Sequence, residues 1–505
     1  MSKDNTNKKR GFGIHFLFST LNRFITLVRE TFKTHITGMN LQSDSFSVVD
    51  KYVGIFRSPF CPSHGNFTPR LSIYLEKYKG NNKMIRYMFM QGSIPVIILA
   101  IASIGIGITL NVISGMEWKY TAYLIGISTI IYSFFINSFC TVLLNVNERY
   151  AGSSSAVIFG NIFSMASVGI PYIIKSIFDV EITGITLLAS LILMNVTYSF
   201  IQSAYILFMS KDLLTVARTD TYEISSEDIR ETRNMQKDVF KTFIYQSPKH
   251  IADAAIRKFI TQVKTSIVSM VDLSHKYSQT ITLCVTQPLH HMSYKILNQF
   301  KNEKEFKENA GDLFLMLHLF IIPFVLLISN NNIPYALFST LFSGIIPKNS
   351  DIYEFIKIFQ VVFYSTYLSS LNRLLKNIIS LSTQSKTLAI SSISGAVIPG
   401  SIVVMHIVAT KHNIQTTYMN TEVLGNMLKY CLSIGDVIEF IYLMINTLKN
   451  KLIKFSYNQL IILLTSITSC GITLFTDMSI VSTLLIASIY LGGAIYNCTK
   501  YLNKR

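Results

Sequence analysis

The sequence predicts an all-α, polytopic membrane protein of about 14 transmembrane helices, set as two six-helix lobes plus two C-terminal helices. Three observations carry this expectation. The 505 residues are 50% hydrophobic and 14% charged, with mean hydropathy +0.39, too apolar for a soluble globule. Apolar runs long enough to cross a hydrocarbon core of roughly 30 Å recur along the chain. Basic residues collect in alternate connections, as the positive-inside rule requires.

Taken in order, residues 1–11 read as a basic cytoplasmic tail, with no small-residue cleavage site after a compact apolar core. The first lobe, 12–210, opens with two charged helices at 12–37 and 42–75 and continues with plainly apolar ones at 87–113, 119–146, 154–178 and 183–210. Residues 211–245 mix charges without an apolar face and read as a cytoplasmic linker. The second lobe, 246–447, follows with helices at 246–272, 275–300, 311–330, 351–375, 386–410 and 423–447. Residues 448–505 add helices at 457–476 and 478–498 and a basic tail.

Charge placement supports that count. With the N-terminus inside, the inner connections hold Lys77, Lys79, Lys83, Arg86 and Arg149, then the basic run Lys211 to Lys241 and Lys301, Lys304 and Lys307. Arg373, Lys376, Lys386, Lys449, Lys451 and Lys454 follow, while the outer connections hold little beyond Lys119, Lys348 and Lys411. Both termini are then cytoplasmic. Dropping one weak span would invert every later connection.

Composition also narrows function. The net charge of +17 is spread over these connections, so a membrane surface and not a nucleic acid is the expected partner. The six cysteines are scattered without CxxC or Cys/His spacing, which supports neither a disulfide framework nor a metal site. No GxxxxGK[ST] run is present, so ATP is not the expected driver, and no nucleophile–base constellation points to an enzyme.

The charged first pair of helices is the most informative stretch. An arginine at membrane depth normally faces a wet cavity or a partner, so Arg23, Arg29 and Arg57 imply a cationic cavity for an anionic substrate. The competing reading is that Arg23 and Arg29 snorkel to headgroups. Asp44 also reads as an outer-end residue, and His275, His290, His291 and His318 as hydrogen-bonded interior groups. Gly105, Gly107, Gly395 and Gly400 read as close helix contacts, and Pro95, Pro171, Pro323 and Pro399 as kinks.

Arg23, Arg29-Glu30, Ser43-Asp44-Ser45-Phe46, Ile55-Phe56-Arg57, Gly65-Asn66-Phe67 and Glu76-Lys77-Tyr78-Lys79 follow one another in an order that resembles the first two helices of the bacterial lipid II flippases (MurJ, formerly MviN). That family belongs to the multidrug/oligosaccharidyl-lipid/polysaccharide exporter (MOP) superfamily. Asn145, Arg149 and Asn161 match its next polar positions, and 382–387 is similar to the lead into its eleventh helix. Three departures stand out, one being an unusually charged seventh helix with Asp253, Arg257, Lys258 and Lys264. Ser58 replaces a second arginine, and 271–280 offers only His275 or Lys276 where the family places an acid-and-arginine cluster.

The resemblance implies a flippase carrying lipid II from the inner to the outer leaflet of the bacterial cytoplasmic membrane by alternating access. Arg23, Arg29, Arg57 and His275 or Lys276 would meet the pyrophosphate, and Glu30 and Asp44 would orient those arginines or gate the cavity. No cofactor is implied. Membrane potential or an ion gradient would drive transport, membrane lipids would surround it, and a cell-wall glycosyltransferase would be a partner. Open alternatives are a flippase for another polyprenyl-pyrophosphate glycan, a drug or cation antiporter, and a scaffold that no longer transports.

Overall fold

A computed structural model describes residues 3–38, 41–60, 67–114, 117–180, 182, 184–216, 222–263, 267–298, 303–341, 349–381, 385–411, 421–475 and 479–503. Cys61, Gly65, Asn66, Lys264, Lys301, Lys348, 382–384, Lys504 and Arg505 lie outside them, as do the side chains of Ser43, Phe67, His291, Lys411, Cys431 and Cys498.

The described chain is helical. The first half contains α1 (Lys3–Thr37), α2 (Leu41–Arg57), α3 (Phe67–Lys77), α4 (Asn82–Ser114), α5 (Trp118–Ser128), α6 (Ile130–Val146), α7 (Tyr150–Phe178), α8 (Gly184–Met209) and the short α9 (Lys211–Leu214). Then come α10 (Ser226–Val263), α11 (Ile267–Asn298), α12 (Glu303–Ser329), α13 (Asn332–Leu341), α14 (Asn349–Leu381), α15 (Ser385–Lys411), α16 (Thr421–Lys449), α17 (Tyr457–Phe475) and α18 (Ile480–Asn503). With α2–α3 and α5–α6 each read as one interrupted rod, a long helix stands at every segment expected from the sequence. Six of them are apolar and long enough to cross a membrane by composition alone: the stretches at 82–109, 118–146, 151–178, 184–209, 303–329 and 480–497. The chain is an all-α polytopic membrane protein.

Two compact units are present, one of residues 11–261 and one of 262–505 with 1–10. In the first, α1 stops at Gly38, whose φ of +67° few residues other than glycine adopt readily, and α2 begins after a short connection. Phe60, Phe89, Phe135 and Phe139 fill the interior with ring pairs 5.1–5.9 Å apart. Isoleucines 94, 97, 98 and 101 of α4 point outward, as an apolar helix does when one face meets lipid. In the second unit α12 is central, buried at nearly every position from Ala310 to Ser329. His318 of α12 hydrogen-bonds Tyr367 of α14 at 2.6 Å and Ser466 of α17 at 2.5 Å, an interior role of the kind expected.

Some expectations change. Proline lies inside α4, α7, α12 and α15 as expected. Of the four glycines, Gly107 abuts Leu124 and Gly395 abuts the Gly435 carbonyl, but a Cβ at Gly105 or Gly400 would meet nothing among the described residues. Arg373 and Lys376 sit inside the last turns of α14 and not in a connection. Much of the supposed linker is helix, because α10 begins at Ser226.

The reason is visible in what holds it. Tyr78 donates to Asp228 at 2.8 Å and Glu231 at 2.7 Å, Lys77 pairs with Glu231, and Arg70 meets Asp238 at 2.5 Å. Met235 and Val239 are fully buried beside them. α10 therefore docks on α3 through carboxylates, a face that apolar periodicity does not reveal.

Burial opposes the Asp228 charge, but hydrogen bonds from Tyr222, the Ser225 N–H, Tyr78 and the Ser225 hydroxyl outweigh it and bring the carboxyl down to about 2. A carboxyl lowered on folding stabilises the clasp above its unfolded value of roughly 3.9, and that contribution disappears as pH falls toward about 2. Asp228→Asn at neutral pH is expected to raise amide exchange over 226–235, and acidification of the unsubstituted protein to do the same. Unchanged protection in the variant would contradict the clasp.

Candidate functional site

The first unit builds a polar constellation around Arg29. On α1, Asn22 and Arg29 are seven residues apart and share a face. Arg29 Nη1 donates to Asn161 Oδ1 of α7 at 2.8 Å and lies 3.4 Å from Ser164 Oγ, while Nη2 meets Glu30 Oε1 at 2.7 Å. Asn161 Nδ2 continues to Asn22 Oδ1 at 2.5 Å, and Ser164 Oγ donates to the Met194 carbonyl of α8 at 2.8 Å. The guanidinium lies 5.3 Å from the Tyr198 ring centroid. Arg29 is 13% exposed and Glu30 4%, so this pair is largely withdrawn from water. Arg29 Nε is buried with no hydrogen-bond partner, an unused donor in a charged fork.

Close packing of α7 on α8 makes this possible. A Cβ built at Gly160 would lie 2.7 Å from the Tyr198 carbonyl oxygen. Glycine there lets Asn161 and Ser164 of one helix and Tyr198 of the other surround the same arginine. Phe32 stacks on Tyr172 at 4.9 Å and Lys175 Nζ donates to the His35 carbonyl at 2.9 Å, which fixes α1 along α7.

On α2, Asp50 and Arg57 are also seven residues apart and share a face. Tyr123 of α5, fully buried, donates to Asp50 Oδ1 at 2.7 Å and accepts from Asn195 Nδ2 at 3.2 Å. Lys33 Nζ approaches Asp50 Oδ2 at 3.9 Å. Asp50, Arg57 and Glu30 all lie within electrostatic reach of the Tyr123 hydroxyl. Arg57 itself, half-buried, makes no ion pair among the described residues, and its guanidinium lies 5.3 Å from the Phe134 centroid. A second charged group adjoins on the same unit, where Asp253 of α10 bonds Arg257 at 2.9 Å and lies 4.0 Å from Lys51.

The sequence candidates thus fare differently. Arg29, Glu30 and Arg57 belong to one polar region. Arg23 is half-buried on α1, six residues before Arg29 and on a different face. Asp44 is fully buried in the first turn of α2, favourably placed for the helix dipole. It does not orient Arg57, since thirteen residues of helix put it about 20 Å away along the axis. Arg29 is oriented by Glu30. His275 and Lys276 lie on α11 of the second unit, half-buried, with His275 Nε2 2.9 Å from Gln279 Nε2. Lys33, Asp50, Tyr123, Ser164, Asn195 and Tyr198 were not foreseen. The seven-residue spacing of Asp50 and Arg57 in α2 was the readable signal for Asp50.

Chemically, the region offers two guanidinium groups, one held in a buried network with a spare N–H and one without an acidic partner among the described residues. Such groups suit an oxyanion that accepts paired hydrogen bonds.

No family model matches the sequence, and no curated protein matches it. Among solved structures, the lipid II flippase MurJ in its inward closed conformation superposes with a TM-score of 0.61 over 98% of this chain and 99% of that one, at 14% identity. A MOP superfamily transporter from Pyrococcus furiosus gives 0.58 over 89% of this chain and 99% of that one, at 11% identity. The eukaryotic MATE transporter AtDTX14 gives 0.54 over 93% and 99%, at 10% identity. At these identities the shared property is architecture, and over nearly its whole length the chain has the fold common to MurJ and the MATE transporters of the MOP superfamily.

Proposed function

We propose that this chain is a transporter that carries lipid II, a polyprenyl-pyrophosphate-linked precursor of peptidoglycan, from the inner to the outer leaflet of a bacterial cytoplasmic membrane. The observation that carries the reading is Arg57, an interior guanidinium without an acidic partner among the described residues, beside the Arg29 network. A cation kept at membrane depth without a fixed counter-charge has its natural complement in an anionic substrate. Fold likeness to MurJ supports the same choice. Alternating access needs no nucleotide, and membrane potential or an ion gradient would supply the drive. Both termini would be cytoplasmic, and a cell-wall glycosyltransferase would be a fitting partner.

A cation antiporter is the second reading, favoured by the fully buried Asp44 and by likeness to MATE transporters. Two arginines in the region weigh against a cationic cargo. Expression in a bacterium depleted of its own lipid II flippase separates the readings. Restored growth supports lipid II transport. No growth from a chain that is inserted and abundant points instead to another lipid-linked glycan or to antiport.

A further inference from the structure

Resting on the lipid II reading above, we infer that Lys33 of α1 is a third cation for the diphosphate of the cargo. Asp50 of α2 is its counter-ion, displaced by the diphosphate on binding and reclaiming the lysine on release. Lys33 Nζ lies 3.9 Å from Asp50 Oδ2 and makes no hydrogen bond among the described residues. At that separation the two form an ion pair without a hydrogen bond. Arg29, by contrast, meets Glu30 at 2.7 Å.

The two halves of the pair are held unequally. Asp50 Oδ1 accepts from the Tyr123 hydroxyl at 2.7 Å, Tyr123 is fully buried, and Asn195 Nδ2 donates to that same hydroxyl at 3.2 Å. The acid is thus tied to α5 and α8. Lys33 is tied only through its stem, and an ammonium on four flexible carbons suits a partner that changes. Exposure agrees. The Lys33 and Asp50 side chains are 18% and 22% exposed, against 4% for Glu30. An incoming anion can reach this pair, and a loose, part-wet ion pair contributes little to stability.

Position favours exchange as well. Lys33 follows Arg29 by four residues, on the same face and about 6 Å further along α1. Arg57 Nε lies 3.9 Å from where a Cβ would stand at Gly54, so its guanidinium leans back along α2 in the direction of Asp50. Arg57, Asp50 and Glu30 all act electrostatically on the Tyr123 hydroxyl. Of the two acids, Glu30 is taken by the Arg29 fork. Asp50 is the one left to balance Lys33 and Arg57. A diphosphate carries more negative charge than one carboxylate, so beside these cations it outcompetes Asp50 for the lysine while it is present.

Two substitutions with opposite expected signs test the exchange. Purified full-length protein in detergent is titrated with farnesyl pyrophosphate and with inorganic pyrophosphate, following the thermal unfolding midpoint. Lys33→Gln is expected to weaken binding by about tenfold. Asp50→Asn keeps an acceptor for Tyr123 and loses the competing charge, so it is expected to tighten binding by about as much. A merely structural acid would not give that sign. In liposomes containing lipid II, Asp50→Asn should lower KM and slow turnover together, because no charge reclaims Lys33 from the cargo. The opposite shifts seen with both probes assign the diphosphate alone as the ligand, and seen with the farnesyl compound alone they assign a lipid-linked one. If Lys33→Gln does not fold, the double change Lys33→Gln, Asp50→Asn, which orphans no acid, must bind more weakly than Asp50→Asn. Binding unchanged or weakened in Asp50→Asn, binding unchanged in Lys33→Gln, or no response of the unsubstituted protein to either probe overturns the exchange. Failure of flippase complementation with the opposite shifts intact counts against lipid II as cargo and leaves the exchange standing.

Discussion

Arg57→Ala is expected to abolish rescue of a flippase-depleted bacterium while leaving the protein as stable and as abundant as before. The two halves of that result have separate causes. Arg57 makes no ion pair among the described residues, and its guanidinium lies over the Phe134 ring, so removing it orphans no described acid. What is lost is a charge-assisted fork on substrate, worth about 1.5–3 kcal/mol per hydrogen bond, or roughly ten- to a hundredfold in affinity. Arg29→Ala must behave differently. Glu30, 4% exposed, would lose the guanidinium that pairs with its carboxylate, at a cost of about 3–5 kcal/mol. The double change Arg29→Ala, Glu30→Gln is therefore expected to recover stability without recovering transport. Recovery of both would make Arg29 a structural ion pair and nothing more. Arg29→Lys should fold normally yet transport poorly, since an ammonium cannot bridge Asn161 and Glu30 as the fork does.

The second large effect is expected at Gly160. A Cβ there meets the Tyr198 carbonyl oxygen at 2.7 Å, the Tyr198 ring at 3.1 Å and Gln202 Cβ at 3.2 Å. The first of these is backbone, so α7 and α8 must separate. Overpacking of this kind costs about 1–3 kcal/mol for alanine and more for valine. Separation also moves Asn161 and Ser164 away from Arg29 relative to Tyr198, so transport should fall even where folded protein survives. Gly105→Ala is the control. Its Cβ meets nothing among the described residues, and helix propensity alone should leave it neutral or slightly stabilising. Equal behaviour of the two variants, measured by thermal unfolding and complementation, would contradict the close-contact account.

The long rods were legible because bilayer thickness imposes length and apolarity together, and because connections carry a charge bias independent of packing. α4, α7 and α8 show this at its simplest. α10 was only half legible. Its first turns are held by Asp228, Glu231 and Asp238 against Arg70, Lys77 and Tyr78, roughly 150 residues earlier in the chain, and carboxylates in a polar run look like solvent-exposed linker. In the site, Arg29-Glu30 could be read as a neighbouring charge pair, and Asn161 from its place in a polar pattern. The Lys33–Asp50–Tyr123–Asn195 chain could not, since it joins α1, α2, α5 and α8 and exists only once those helices pack. Asp44 and Arg373 show the converse. Their types were visible, but depth and partners decide their roles, and both proved more buried than their sequence neighbourhoods implied.

The most direct test of the central claim is reconstitution. Purified protein in liposomes containing lipid II labelled on its head group is challenged with a membrane-impermeant quencher, with and without an imposed potential. The account predicts that the wild type exposes inner-leaflet label to the quencher and that Arg57→Ala, equally well incorporated, does not. Equal translocation by both, or none by the wild type under any imposed gradient, would contradict it.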